Sequence, residues 1–301
     1  MKTDKKRRHL LKSLGALPIV VGTFGASMAG NSSTSTSHVR CSVNAFSFNK
    51  QLRSGSMTFA EMMQFAADIG LDAVDLTGYY FSTYPNTPPD EEIFELKRLA
   101  LKLGLDISWT GVRNDFVNPD AAKRLADREL VKDWLQTSAK LGAPIMRIFA
   151  GKSKHEGYSR EEAKKWLVEE LKECAAYGST VGVMPALQHH NDFLYTSDEV
   201  IDIINKVDSD WLALILDVGS LRQGNPYSEI RKLAPFADYW FIKELVYENK
   251  VAKPIDMNKI SRILKDIQYS GYISFESLSD GDPKVLVEGM VNDFRAAYGK
   301  G

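Results

Sequence analysis

The chain has 301 residues, of which 44% are hydrophobic, 26% charged and 10% aromatic, with a formal net charge of −1. Those fractions are typical of a soluble globular protein and exclude disordered, collagen-like and multi-spanning membrane classes. The near-neutral balance argues against a nucleic-acid binder, which needs a basic face to displace counterions from phosphates. Two cysteines, Cys41 and Cys174, supply neither a disulfide framework nor a thiolate metal cluster.

Residues 5–12 read K-K-R-R-H-L-L-K, followed by an uncharged, mostly apolar run from Ser13 to Ala29 and a polar tract from Asn31 to Ser37. A basic start, an apolar middle and a small-residue exit describe a secretory signal over residues 1–29, with 30–37 as a linker. Arg7-Arg8, followed by Leu10, Leu11 and Lys12, resembles the twin-arginine export signal of bacteria. The expectation is export to the periplasm, or a membrane tether if the segment stays uncleaved. The apolar run, with three glycines and a proline, is too weak for a stable span. Residues 1–29 carry six Lys/Arg and one Asp, so their removal takes the net charge from −1 to −6. That makes DNA a still poorer partner.

From residue 38 onward, short apolar runs alternate eight times with longer amphipathic ones. The strand-like runs are 38–46, 71–77, 105–110, 144–150, 183–188, 212–217, 238–243 and 272–276. Continuous apolar strands of this length suit a parallel sheet buried on both faces. Between them, Thr58…Glu61 and Ser159…Glu162 read as capping boxes. Pro89-Asp90, Asp120, Thr196-Ser197, Asp256 and Asp282-Pro283 open the other helices, and Gly70, Gly104, Gly142 and Gly182 close four of them. Eight β–α units over 38–301 predict a single-domain α/β fold, the closed (β/α)8 TIM barrel. A doubly wound sheet is the alternative, but its first loop carries glycines for phosphate; here that loop reads N-A-F-S-F-N-K. Cys174 then falls on a helix core face and Cys41 on a strand.

In such a barrel the chemistry sits at the C-terminal ends of the strands. Those ends give Asn44; Asp75 with Tyr79 and Tyr80; Trp109 with Arg113, Asn114 and Asp115; Arg147; Gln188, His189, His190 and Asp192; Asp217 and Ser220; Lys243 and Glu244; and Glu276. Asp75, Asp115 and Glu244 are expected to be rim salt bridges or caps. Gln188, Asp217 and Glu276 project from strands five, six and eight, and three oxygen donors there can converge on one hard divalent cation.

The motifs V-N-A-F-S-F at 43–48, L-Q-H-H-N-D-F at 187–193, L-D-V-G-S at 216–220, F-I-K-E at 241–244 and G-Y-I-S-F-E at 271–276 resemble the sugar phosphate isomerase/epimerase group. These are xylose isomerase-like barrels, related to the second class of abasic-site endonucleases. The resemblance implies one divalent metal (Mn, Mg, Co or Zn) held by Glu, Asp, His and Glu, and a small carbohydrate substrate with no nucleic acid. Two positions depart from that pattern. The first Glu falls on Gln188, and the strand-seven His falls on Phe241. Asp217 and Glu276 match, and His190 matches the His of the family's E-N-H motif.

Without a carboxylate at 188, the reading favours a one-base reaction beside a carbonyl over symmetrical epimerisation: enolisation of a keto-sugar, or elimination or hydration. Glu276 is the expected base, His190 the general acid, and the metal or Lys243 the partner of the enolate oxygen. Asn44, Trp109, Arg113, Arg147 and His189 are expected to bind substrate; the arginines can pair with a carboxylate or phosphate, or simply balance nearby carboxylates. Phe46, Phe48, Tyr79, Tyr80, Phe116, Phe193 and Tyr227 join Trp109 as aromatics near the strand ends, suited to stacking on a sugar ring or to roofing the core. A non-catalytic sugar- or partner-binding barrel is the alternative from another class.

Overall fold

The computed structural model describes residues 38–152, 156–190 and 192–299. Eight parallel strands close into a barrel: β1 (Val39–Val43), β2 (Ala73–Asp75), β3 (Asp106–Gly111), β4 (Ile145–Phe149), β5 (Met184–Gln188), β6 (Ala213–Asp217), β7 (Tyr239–Lys243) and β10 (Gly271–Glu276). Their order around the barrel is β1-β10-β7-β6-β5-β4-β3-β2. This is the (β/α)8 TIM barrel that the alternation of patterns predicts. The signal and linker expected over residues 1–37 lie outside the described residues. No described helix is long and apolar enough to cross a membrane.

The described α-helices are α1 (Asn49–Ser54), α2 (Phe59–Asp68), α3 (Asp90–Leu103), α4 (Ala121–Leu141), α5 (Arg160–Val181), α6 (Ser197–Val207), α7 (Pro226–Leu233), α8 (Met257–Asp266) and α9 (Pro283–Tyr298). Seven of them start where their sequence signals place them, and α1 and α7 come in addition. Both expected capping boxes form, and Thr196 with Glu199 makes a third. In each, a hydroxyl and a carboxylate satisfy helix-end N–H groups reciprocally. Gly104, Gly142 and Gly182 all take positive φ as C-caps, where a Cβ would be strained.

Three local features differ from the sequence reading. β1 ends at Val43 rather than Phe46, because the Asn44 side chain accepts the Phe46 N–H at 2.9 Å and turns Ala45–Phe48 into a 3-10 helix. An antiparallel hairpin, β8 (Leu245–Glu248) with β9 (Val251–Pro254), follows β7 outside the barrel wall. Helix α7 is capped by Asn225, which accepts the Ser228 N–H, and has Pro226 in its first turn.

The main core lies between the helices and the outer face of the barrel, and it includes Cys174 and Cys41 as buried free thiols. A separate cluster of Trp109, Ile145, Ala186, Ala213, Ile215, Tyr239 and Phe241 packs apart from it. Such a filled interior makes the barrel a packed core rather than a pore. Hydroxyl groups below it pair with one another: Tyr239 donates to Ser108 Oγ at 2.9 Å, and Ser42 shares a hydrogen bond with Ser108. Asp75, fully buried, accepts the Ala45 N–H at 2.6 Å and both the N–H and hydroxyl of Thr77, tying the loop after β1 to β2.

Candidate active site

Parallel register decides which side chains meet. Glu276 on β10 pairs with Lys243 on β7, and Asp217 on β6 pairs with Phe241 on β7. Residues in register on neighbouring strands share a face, and so do positions two apart along one strand. Asp217, Phe241, Lys243 and Glu276 therefore point into the barrel at its C-terminal end. Gln188, at the end of β5, joins them there.

Lys243 Nζ lies 2.9 Å from Asp217 Oδ2 and 3.6 Å from Glu276 Oε1. Gln188 donates its amide to Asp217 Oδ2 at 2.8 Å, and Ser220 donates its hydroxyl to the same oxygen at 2.8 Å. Asp217 Oδ1 accepts the Gly219 N–H at 3.0 Å. Asn44 donates to Glu276 Oε2 at 2.8 Å. All five side chains in this knot of Asn44, Gln188, Asp217, Lys243 and Glu276 are buried.

The charges respond to this packing. Burial pushes Glu276 above the ordinary carboxylate value, with the Lys243 charge pulling the other way. Asp217 suffers the same burial, but Lys243 and the neighbouring histidines outweigh it and hold the carboxyl down to about 2. Burial likewise works against the Lys243 charge, yet Asp217 and Glu276 raise it above the ordinary ammonium value. The Lys243 ammonium thus stands between two acidic side chains, and its charge favours the ionised form of each.

Above the knot opens a cavity of about 340 Å³. Asn44, Gln188 and Glu276 reach it from the strand ends, together with the rings of Phe46, Tyr79, Trp109, Phe149 and Phe241. Arg113, Arg147, Lys152, His190 and Asp192 supply its titratable lining, and Asn114 an amide. Arg147 is 2% exposed; its guanidinium lies 4.1 Å from the Phe149 ring centroid and 5.6 Å from that of Trp109. Its Nε and Nη2 have no hydrogen-bond partner among the described residues. His190 is held down to about 4 by burial against the cavity wall and by the Lys243 charge, so its imidazole is neutral at pH 7.

Seven of the residues expected from sequence (Asn44, Trp109, Arg113, Arg147, Gln188, His190 and Glu276) line the cavity together. Three do not. His189 is fully buried and accepts the Asp217 backbone N–H at Nε2, 3.1 Å away, so it props β6 rather than touching a ligand. Burial pushes it down to about 4. Asp217 and Lys243 lie behind the lining, and Lys243 reaches the cavity through Glu276. Glu244 accepts from Ser277, Leu278 and Ser279 and orders the loop after β10. Of the other expected aromatics, Phe48, Phe116 and Phe193 are core residues, while Tyr80 donates to Asn49 and Tyr227 accepts the Asp256 N–H. Phe149 and Lys152 were not singled out in the sequence. Phe149 read there as an ordinary strand residue, and its place at the C-terminal end of β4 was the only signal.

The divalent metal expected from the resemblance does not fit this donor set. Both Asp217 oxygens already accept hydrogen bonds, three of them at Oδ2. Gln188 turns its amide N–H, not its oxygen, toward Asp217. Phe241, in the place of a histidine ligand, packs 5.1 Å from the Trp109 ring. Among the described residues no group of three His, Cys, Asp or Glu side chains is arranged to hold a metal ion.

The family model for the xylose isomerase-like TIM barrel matches residues 63–291, more than half of the chain. The chain belongs to this family. No curated protein matches it. Among solved structures, D-psicose 3-epimerase of Clostridium cellulolyticum H10 is similar with a TM-score of 0.72 at 16% identity, covering 86% of this chain and 99% of its own. The 3-keto-D-glucoside 4-epimerase of E. coli gives 0.68 at 13% identity, over 86% and 99%. A xylose isomerase-like TIM barrel protein from Mycobacterium smegmatis, solved in complex with magnesium, gives 0.60 at 18% identity, over 80% and 88%. At such identities the likeness is one of fold.

Proposed function

We propose that this chain is a carbohydrate isomerase or epimerase-type enzyme that moves a proton at a carbon beside a carbonyl, with Glu276 as the base. The observation that carries this reading is the Glu276 carboxylate itself. It lies on the floor of an aromatic-walled cavity, oriented by Asn44 and raised in pKa by burial. A base so raised matches the weak acidity of a carbon next to a carbonyl better than a solvated carboxylate would.

The step follows from the residues present. Glu276 removes the proton, the C–H electron pair forms the new C=C bond, and the carbonyl oxygen becomes an enolate oxygen. Arg147, the buried cation on the wall, favours that negative charge. His190, neutral at working pH, relays a proton between substrate oxygens as an uncharged imidazole rather than as an imidazolium. Glu276 then returns its proton on the same face to the neighbouring carbon, the former carbonyl carbon, while the oxygen left behind becomes the new carbonyl. That completes an isomerisation; inversion at a single carbon would need a proton delivered from the opposite face. The ring faces of Phe46, Trp109 and Phe149 suit the apolar faces of a sugar. Epimerases among the structural relatives favour proton return over elimination as the end of the reaction, and elimination from a keto-glycoside shares the first half of the step. The basic, apolar, small-residue sequence of residues 1–29 supports export to the periplasm, where free sugars and glycosides are the available carbohydrates.

Gln188 and Phe241 favour a second reading, a barrel that binds a sugar without turning it over. One experiment separates the two. The protein is incubated in D2O with ketohexoses and 3-keto-glucosides, and solvent deuterium at the carbon beside the carbonyl is followed by NMR. Exchange that disappears in Glu276→Gln supports the enzyme. Saturable sugar binding with no exchange in the whole panel supports the binding barrel.

A further inference from the structure

The barrel's inner end holds two carboxylates from neighbouring parts of the wall, Asp217 and Glu276, both buried. Two buried negative charges cannot stand together without a counter-charge. We propose that Lys243 is that counter-charge by construction: its ammonium occupies the position between the carboxylates that a divalent ion would fill, so the site works without a metal. This deepens the proposed function and rests on Glu276 being the working base.

Three independent features support it. The ammonium reaches both carboxylates, at 2.9 and 3.6 Å. Room for its stem is provided just after β6 by Gly219, where an added Cβ would stand 2.7 Å from Lys243 Cδ and 3.3 Å from its Cβ. Real Cβ atoms do not approach so closely, so any side chain at 219 would displace the lysine. The third feature is the pair of residues that stand where a metal would be given a carboxylate and an imidazole. Gln188 donates an N–H to Asp217, which suits a carboxylate already paired with an ammonium, and Phe241 fills its place with a ring packed against Trp109. Lys243, Gly219, Gln188 and Phe241 thus form one consistent set.

A lysine is not interchangeable with a metal in what it does. A divalent ion binds substrate oxygens directly, whereas Lys243 lies behind the cavity lining and acts through Glu276. It is a positioning residue: it fixes the Glu276 carboxylate from one side as Asn44 does from the other. The substrate then has to be gripped by neutral amides and aromatic faces, with Arg147 as the buried cation within reach.

The test needs no substrate and so is separate from the test of catalysis. Full-length protein, stripped with chelator, is titrated calorimetrically with Mn²⁺, Mg²⁺, Co²⁺ and Zn²⁺, and its thermal midpoint is read with and without each ion. The expected result is no stoichiometric binding and no shift. The reciprocal variant Gln188→Glu/Phe241→His/Lys243→Ala, checked for fold by circular dichroism, is expected to take up one equivalent of Mn²⁺. One equivalent bound by the unaltered chain overturns the proposal, whether or not the variant folds. A folded variant that ignores all four ions overturns it as well, because Lys243 and its companions would then not be what excludes the metal. In the activity assay, exchange by the unaltered chain is expected to survive chelator, and Lys243→Met is expected to lower kcat at least tenfold with KM little changed.

Discussion

Asn44 and Glu276, 232 positions apart in the chain, are joined by a 2.8 Å hydrogen bond across the seam where the first and last barrel strands meet. The Asn44 backbone N–H also donates to Phe275 O at 2.9 Å, so closing the barrel and orienting the carboxylate are one event. Asn44 Nδ2 holds Oε2, Lys243 faces Oε1, and the carboxylate is fixed in plane before any ligand arrives.

Replacing Asn44 by Ala removes this bond and the cap on the Phe46 N–H together. Stability is expected to fall by about 1 kcal/mol, the usual loss for a capping side chain. Exchange activity is expected to fall by at least tenfold through kcat. Asn44→Ala with unchanged kcat and a normal melt would mean that Glu276 is oriented by Lys243 alone.

Glu276→Gln is isosteric and keeps an acceptor for Asn44. It is expected to fold normally and to lose roughly 10²-fold or more of the proton exchange. The active form of Glu276 is the carboxylate, and burial raises its folded-state pKa. Activity is therefore present above that pKa and lost as pH falls through it, with an acid limb lying above the ordinary carboxylate range. A kcat/KM profile flat to pH 4 contradicts the assignment.

His189 is buried in its neutral form with its pKa brought down to about 4. A base whose folded pKa is depressed contributes stability fully present above its unfolded value, about 6.5, and lost as pH falls from there toward 4. The loss attached to that shift is on the order of 3 kcal/mol. His189→Gln is expected to make the fall in stability between pH 6.5 and 4 shallower, with His190 carrying a further share, measured by urea unfolding at stepped pH. An unchanged slope shows that another group carries it.

Arg147 is a buried cation with two unpartnered nitrogens among the described residues, held among rings. A buried charge without hydrogen bonds costs stability, so Arg147→Met is expected to leave the melting temperature unchanged or higher. Its function is expected to suffer in the opposite direction, with exchange reduced at least tenfold. A clear drop in melting temperature instead would mark Arg147 as a structural partner of Asp75 and Glu276.

Asp75 accepts N–H groups on both oxygens, so Asp75→Asn forces an amide N–H against a backbone N–H. The expected cost is about 1–3 kcal/mol by thermal or chemical unfolding, with Glu276 chemistry retained if the fold survives. A variant that melts like the unaltered chain would show the loop after β1 to be held elsewhere.

The barrel was legible because its signals are local. Apolar runs of strand length, hydroxyl–carboxylate capping boxes and glycine C-caps each act within a few residues, and Thr58, Ser159 and Gly142 do in the structure what their neighbours imply. The hairpin over β8 and β9 escaped notice because its exposed second strand, Val251–Pro254, carries no apolar alternation. The end of β1 misled because Asn44 serves as a cap, and a side-chain hydrogen bond stops a strand that hydrophobicity alone would continue.

Family membership and the positions of Gln188, Asp217, His190 and Glu276 were also written in the chain, since strand ends in a closed barrel fall on one rim whatever the packing. Sequence alone left open which of them touch a ligand. His189 and His190 are adjacent and chemically identical, yet one props the Asp217 backbone and the other lines the cavity, because successive residues leaving a strand point to opposite sides. Asp217 and Glu276 could have framed a metal or an ammonium, and register together with the space at Gly219 put Lys243 between them. Chain order fixes which residues reach the rim; the distances among them, set by long-range closure of β1 on β10, decide what chemistry they can perform.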